Sequence, residues 1–113
     1  MLKIREIAVM QSESELSNGE QALKIGNAGK ARVCARRACL FVISYWLQNH
    51  TGYNWGKTAI SLLEGVRDEN SLPDDVKFAA NRLTTKVDAQ FDTGYKESPI
   101  DDARIIINYF LSN

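Results

Sequence analysis

Histidine and cysteine are scarce in this chain. Of 113 residues, one is histidine (His50) and two are cysteine (Cys34 and Cys39). There is no C-x-x-C, so the ligand types of a zinc site are too few and metal binding is not expected. Cys34 and Cys39 stand five apart, which on a helix turns their side chains roughly 140° from each other. That separation forbids a disulfide between them, and both read as small buried thiols. Net charge is lacking too, with 14 Lys+Arg against 14 Asp+Glu. This balance argues against a protein that coats nucleic acid over its whole surface, while leaving room for a local patch. No apolar run approaches the roughly 18 residues of a membrane span. The opening MLKIREIAVMQSESE has too short an apolar core for a signal peptide, and Glu6 interrupts it. A single cytoplasmic domain over residues 1–113, with one core and no cofactor, is the expectation.

What the chain has in abundance is concentrated in residues 26–50, GNAGKARVCARRACLFVISYWLQNH. The first half sets Lys30, Arg32, Arg36 and Arg37 among Ala31, Cys34, Ala35, Ala38 and Cys39. The second half, Leu40 to Leu47, is apolar apart from Ser44 and the Tyr45 hydroxyl. Ala31, Ala35, Ala38, Val42, Tyr45 and Asn49 follow the spacing of one helix face, and small residues there permit close helix approach. The pattern predicts a central helix from about Ala28 to Gln48, buried around most of its circumference, with four cations at one end.

Further segments surround it on both sides. Residues 1–11 fit either alternation or a helix turn, and form an N-terminal arm or a first turn. A first helix is expected to start at Ser12-Glu13-Ser14-Glu15, weakened by Gly19 and closed by Gly26. A third runs from about Asn54 to Arg67, with Trp55, Ala59, Leu62, Leu63 and Val66 as its stripe. Ser71-Leu72-Pro73-Asp74 opens a fourth by capping-box-like spacing, with a stripe from Leu72 through Leu83 to Val87. Asp88 to Glu97 is a polar loop, with Phe91 and Tyr95 as anchors. Ser98-Pro99-Ile100-Asp101 opens the last helix, and Asp101 and Asp102, like Asp74 and Asp75 of the fourth, read as helix-start acids. The predicted fold class is all-α, an up-and-down bundle of four to five helices.

Two glycine motifs invite a phosphate reading and resist it. Gly52 to Thr58 has one residue too few for G-x-x-x-x-G-K-[ST], follows a helix instead of a strand, and holds bulky Tyr53 and Trp55. It reads as a helix N-terminus, with Gly56 leaving room beside Trp55. Gly26-Asn27-Ala28-Gly29 has the G-x-x-G form of loops that clamp nucleic-acid backbones, but those loops need a sheet that this chain does not supply. It reads as a tight turn between antiparallel helices.

The four cations are the candidate ligand-binding residues. Arg32 and Arg36 share one helix face, and Lys30 and Arg37 share another. One account has them snorkel past the core or pair with Glu13, Glu15 or Glu20 of the preceding helix. The other makes them a phosphate or RNA-backbone site, helped by the helix N-terminus. His50 is read as a solvated helix-end imidazole.

The order of elements resembles the HEPN domains, small prokaryotic helical bundles often found as dimers. In that family a helix of the form A-x-x-R-A-x-x-A-x-x-x-A-x-x-x-x-L follows a short turn, and residues 29–47 are similar in texture. A proline-started helix, an aromatic loop and a short closing helix then follow, as they do here from Leu72 through Phe91 and Tyr95 to Phe110. The family's ribonucleases carry R-x(4–6)-H. Arg82 stands at a plausible place, but Val87, Asp88 and Ala89 occupy the positions where the histidine would be. The resemblance therefore implies a non-cleaving member that binds a nucleotide or RNA, or pairs with a partner such as a nucleotidyltransferase-like protein, as a homodimer. A purely structural or interaction module is the alternative; an atypical ribonuclease using Arg82, Asp88 or His50 is the third reading.

Overall fold

Ala8, Ser12, Leu16, Gly19 and Ala22 recur at three- and four-residue intervals, and together they bury one narrow stripe of a long helix. In the computed structural model, which describes residues 3–86 and 95–113, that helix is α1, Ile4–Lys24. The expected start at Ser12 is corrected: Ser12 is mid-helix and buried against the body, so its hydroxyl is no cap. Residues 4–11 belong to the same helix, and the arm over 1–11 is a helix from Ile4 onward. α1 ends in a Schellman turn, with Gly26 at φ 81° and Asn27 N–H bonded to the Ala22 carbonyl at 2.8 Å. Asn27 then caps the next helix, its side chain accepting from the Lys30 amide at 3.0 Å. One asparagine thus closes α1 and opens α2, Ala28–Leu47.

Ala31, Ala35, Ala38, Cys39, Val42 and Ile43 of α2 are all fully buried. α2 packs against each of the other four described helices, whereas among these α1 touches α2 and α5 alone. α1 and α2 run antiparallel, since Glu15 meets Arg37 and Gly19 lies against Cys34 and Ala31. A Cβ at Gly19 would sit 2.5 Å from Ile100 Cδ1 and 3.2 Å from Cys34 Cβ. The glycine that costs α1 propensity is the one that lets it close on α2 and α5.

The third helix begins later than its stripe suggests. α3 is Ala59–Asp68, opened by a reciprocal box in which Thr58 Oγ1 accepts from Ser61 N–H and Ser61 Oγ accepts from Thr58 N–H. Trp55 precedes the helix and folds back over it. A Cβ at Gly65 would collide with the Trp55 ring, so Gly65 is the residue that makes room for this indole. Gly56, at φ 79°, instead faces Ser61. α4, Asp74–Thr84, starts after Pro73 with no side-chain cap, and Ser71 spends its hydroxyl on Glu69. α5, Pro99–Ser112, starts as expected, Ser98 accepting from the Ile100 amide with Pro99 in the first turn. Leu2, Val87, Asp88 and Phe91 lie outside the described residues. Tyr95 is exposed, and its hydroxyl accepts from Asn81 at 3.5 Å.

Among the described residues the fold is therefore all-helical, with five helices and no strand. No described helix is long and apolar enough to cross a membrane. Cys34 and Cys39 are buried, and burial pushes the Cys39 thiol far above its ordinary value. Enlarging the central seam tests the packing. Ala35→Leu, at a fully buried position, is expected to cost roughly 1–3 kcal/mol by overpacking. Urea titration followed by circular dichroism measures this, and an unchanged midpoint would contradict the seam.

Candidate functional site

The four cations at the start of α2 separate into three environments. Arg32 and Arg36, one turn apart, both reach the C-terminus of α4. Arg32 Nη1 donates to the Arg82 carbonyl at 3.2 Å, and its Nη2 to the carbonyls of Leu83 and Thr85 at 3.1 and 2.7 Å. Arg36 Nη1 donates to the Leu83 carbonyl at 3.4 Å. Two guanidiniums thus meet the negative end of a helix dipole and its last-turn carbonyls, of which that of Arg82 also accepts from the Thr85 amide at 3.4 Å. Arg37 turns the other way, with Nε 2.9 Å from Glu15 Oε2, close enough for an ion pair but not aligned as a hydrogen bond. Lys30 is exposed and has no ion pair among the described residues. Glu13 and Glu20, the other suggested partners, are both taken by Arg104 of α5.

Arg32 and Arg36 line a cavity of about 640 Å³. The first-turn residues Ala28 and Gly29, whose amides precede the first intrahelical bond, form another part of its wall. Ile60 contributes apolar surface, Thr84 and Thr85 close one side, and Lys86 and Glu64 complete the charged groups. Among the described residues of the lining, three cations stand against one carboxylate. Glu64 also lies 4.0 Å from Arg67, which further reduces its hold on the arginines.

Neither Arg32 nor Arg36 has a carboxylate at ion-pair distance among the described residues. Both are half-buried, and burial lowers each guanidinium below its ordinary value. For Arg32 the nearby Arg36 adds to the shift and Asp102 opposes it. The cationic forms are therefore held at a cost in the folded chain, and an anion entering the cavity would relieve it. Several guanidinium N–H groups remain unspent among the described residues, chiefly on Arg36.

Arg82, the arginine considered above for a ribonuclease motif, has a different occupation. It clamps the buried Asp102 of α5 through Nε, at 3.0 and 3.1 Å, and Nη2, at 2.8 Å, and lies 3.5 Å from Glu97. Burial raises the Asp102 carboxyl above its ordinary value despite the opposing pull of Arg82. The pair joins α4 to α5 just where Arg32 donates to the Arg82 carbonyl. Asp102 was expected only as a helix-start acid. Its signal in the sequence is that it precedes Ile106 by four residues and so shares the buried face.

His50 lies just beyond the far end of α2, and the stretch of that helix from Arg32 to Leu47 alone spans about 22 Å. It stacks on Trp46 at 3.9 Å between ring centroids, with Nδ1 2.9 Å from the Trp46 carbonyl. The reading of a solvated imidazole is corrected: the ring is half-buried at the edge of an aromatic group formed by Trp46, Tyr53, Trp55 and Phe110. His50 and Arg82 do not share a site. No group of three metal-binding side chains occurs among the described residues. No family model, curated protein or solved structure matches the chain.

Removal of Arg82 tests the clamp. Arg82→Met strands a buried carboxylate and is expected to cost about 3 kcal/mol near neutral pH. An acid whose pKa rises on folding stabilises fully below its unfolded value, 3.8 for Asp102, and loses that contribution as pH climbs through the folded value. Loss of Arg82 raises the folded value further. The deficit relative to wild type should therefore shrink as pH falls from about 7 toward 4. Paired denaturation curves at both pH values measure it, and a deficit independent of pH would contradict the assignment.

Proposed function

We propose that this chain is a non-catalytic, HEPN-like helical module that holds the phosphate of a nucleotide in the cavity beside Arg32 and Arg36. The observation that carries the reading is the pair of half-buried guanidiniums lining a cavity of about 640 Å³ with no carboxylate at ion-pair distance among the described residues. A cavity of this volume suits a mononucleotide-sized ligand. Phosphate oxygens would meet the spare N–H groups of Arg36 and the first-turn amides of α2, while Ile60 and the Thr84 and Thr85 side chains offer less polar surface to the rest of the ligand. The zero net charge favours one local phosphate over a long RNA backbone.

The HEPN-like part of the reading comes from the resemblance in element order and in the small-residue texture of α2. In that family, non-cleaving members pair with nucleotidyltransferase-like proteins, and a module that holds a nucleotide at its basic end suits such a partner. Cleavage has little support, because the motif histidine is missing and Arg82 is engaged with Asp102. The alternative is a purely structural module in which Arg32 and Arg36 serve only to cap α4. It draws on the four carbonyl bonds that the two arginines make.

Calorimetric titration with AMP, ATP and inorganic phosphate separates the two. Among the described residues Arg36 makes a single long carbonyl bond, so Arg36→Gln should keep the fold. The variant should lose at least about tenfold in nucleotide affinity, the worth of a charge-assisted hydrogen bond. Wild-type affinity should fall as sodium chloride rises from about 50 to 300 mM. A wild type that binds none of the three ligands leaves the capping role alone and overturns the proposal.

A further inference from the structure

We infer, on the reading of the cavity beside Arg32 and Arg36 as a nucleotide site, that it selects ribonucleotides over deoxyribonucleotides, with Glu64 holding the ribose hydroxyls. Ile60 and Glu64 stand four residues apart on α3, so they share the helix face that walls the cavity. Ile60 is 41% exposed, a large apolar side chain with its surface left open. Glu64 is exposed too, and among the described residues Arg67 is the cation at ion-pair distance from it, 4.0 Å away. That arginine is already committed, because its Nε and Nη2 donate to Asp68 at 2.8 and 2.9 Å. Neither Arg32 nor Arg36 pairs with Glu64, and among the described residues its carboxylate accepts no hydrogen bond.

The two walls therefore ask for opposite chemistry. Guanidiniums and first-turn amides can only donate, so the α2 wall takes an acceptor-rich anion, the phosphate. An ionised carboxylate can only accept, so the α3 wall takes a neutral group with hydrogens to give. A 5′-ribonucleotide carries both, a phosphate on one side of its sugar and vicinal 2′- and 3′-hydroxyls on the other. The two oxygens of Glu64 can accept from those hydroxyls, as a carboxylate does from the ribose of a dinucleotide in other folds. The base is left to pack on Ile60. A 2′-deoxyribonucleotide offers one of the two hydroxyls, and inorganic phosphate offers neither and leaves Ile60 bare. A nucleic-acid strand has its 3′-oxygen esterified, which turns a second anion toward Glu64. A free ribonucleoside monophosphate meets every group in the wall without that repulsion.

Calorimetric titration of wild type and Glu64→Ala with AMP and with 2′-deoxyadenosine monophosphate tests the assignment. Glu64 is exposed and its pair with Arg67 is long, so the variant should keep its helical circular dichroism. The wild type is expected to bind AMP about tenfold more tightly than the deoxynucleotide, the worth of one hydrogen bond to a charged acceptor. In Glu64→Ala the two affinities should come within about twofold of each other. A merely structural role for Glu64 would weaken both nucleotides in proportion and keep the preference. Equal binding of the two nucleotides by wild type, or a preference that survives in Glu64→Ala, overturns the role of Glu64 and leaves the phosphate site standing. A wild type that binds neither nucleotide overturns both.

Discussion

Close approach of backbones along the alanine seam of α2 is the constraint on which the rest of this molecule depends. Ala31, Ala35 and Ala38 are fully buried, and their small side chains let neighbouring helices come in to contact. Gly19 answers them from α1, where there is no room for another methyl group. Larger residues fill the gaps that this geometry leaves. Leu16, Ile43, Leu62, Leu63, Leu83, Ile106 and Phe110 are each almost wholly shielded from solvent. Because α2 touches all four other helices, a change in its diameter is felt everywhere at once.

The two ends of α2 are finished by different chemistry. At the C-terminal end, Trp46 gathers His50, Tyr53, Trp55 and Phe110 into an aromatic group that holds the α2–α3 connection in place. At the N-terminal end the neighbours are the last carbonyls of α4, and Arg32 and Arg36 bind them. Carbonyl partial charges compensate two guanidiniums only in part. The same contacts that stop α4 from fraying therefore leave a positive, recessed surface, and the Arg82–Asp102 clamp fixes its rear wall. Structural capping and anion attraction are two consequences of one arrangement.

Much of the fold was legible in the sequence because its periodicity is strong where burial is complete. The expected central helix, Ala28 to Gln48, differs from the observed Ala28–Leu47 by one residue, and the start of α5 at Ser98-Pro99 needed only local capping chemistry. The errors arose where a residue's local preference lost to tertiary packing. Ser12 looked like a cap and is a buried small residue on a helix already under way. Trp55 fell on the stripe of α3 by spacing, yet it reaches that helix from outside by lying over Gly65. The candidate site was half legible. Spacing put Arg32 and Arg36 on one face and Arg37 on another, as the structure has them. Sequence proximity could not reveal that α4 ends against that face, so Thr85, Lys86 and Glu64 were missed as cavity residues. Asp102 was underread because helix-start acids are usually solvated, and only its register with Ile106 distinguishes it.

Hydrogen exchange of the α2 amides tests the central claim most directly. If this helix is the shared interior rod, amides from Ala35 to Ile43 will exchange slowest in the chain, through global unfolding alone, with a denaturant dependence equal to that of equilibrium unfolding. Exchange of those amides by local opening, at rates like those of the exposed first turns of α1, would contradict the account.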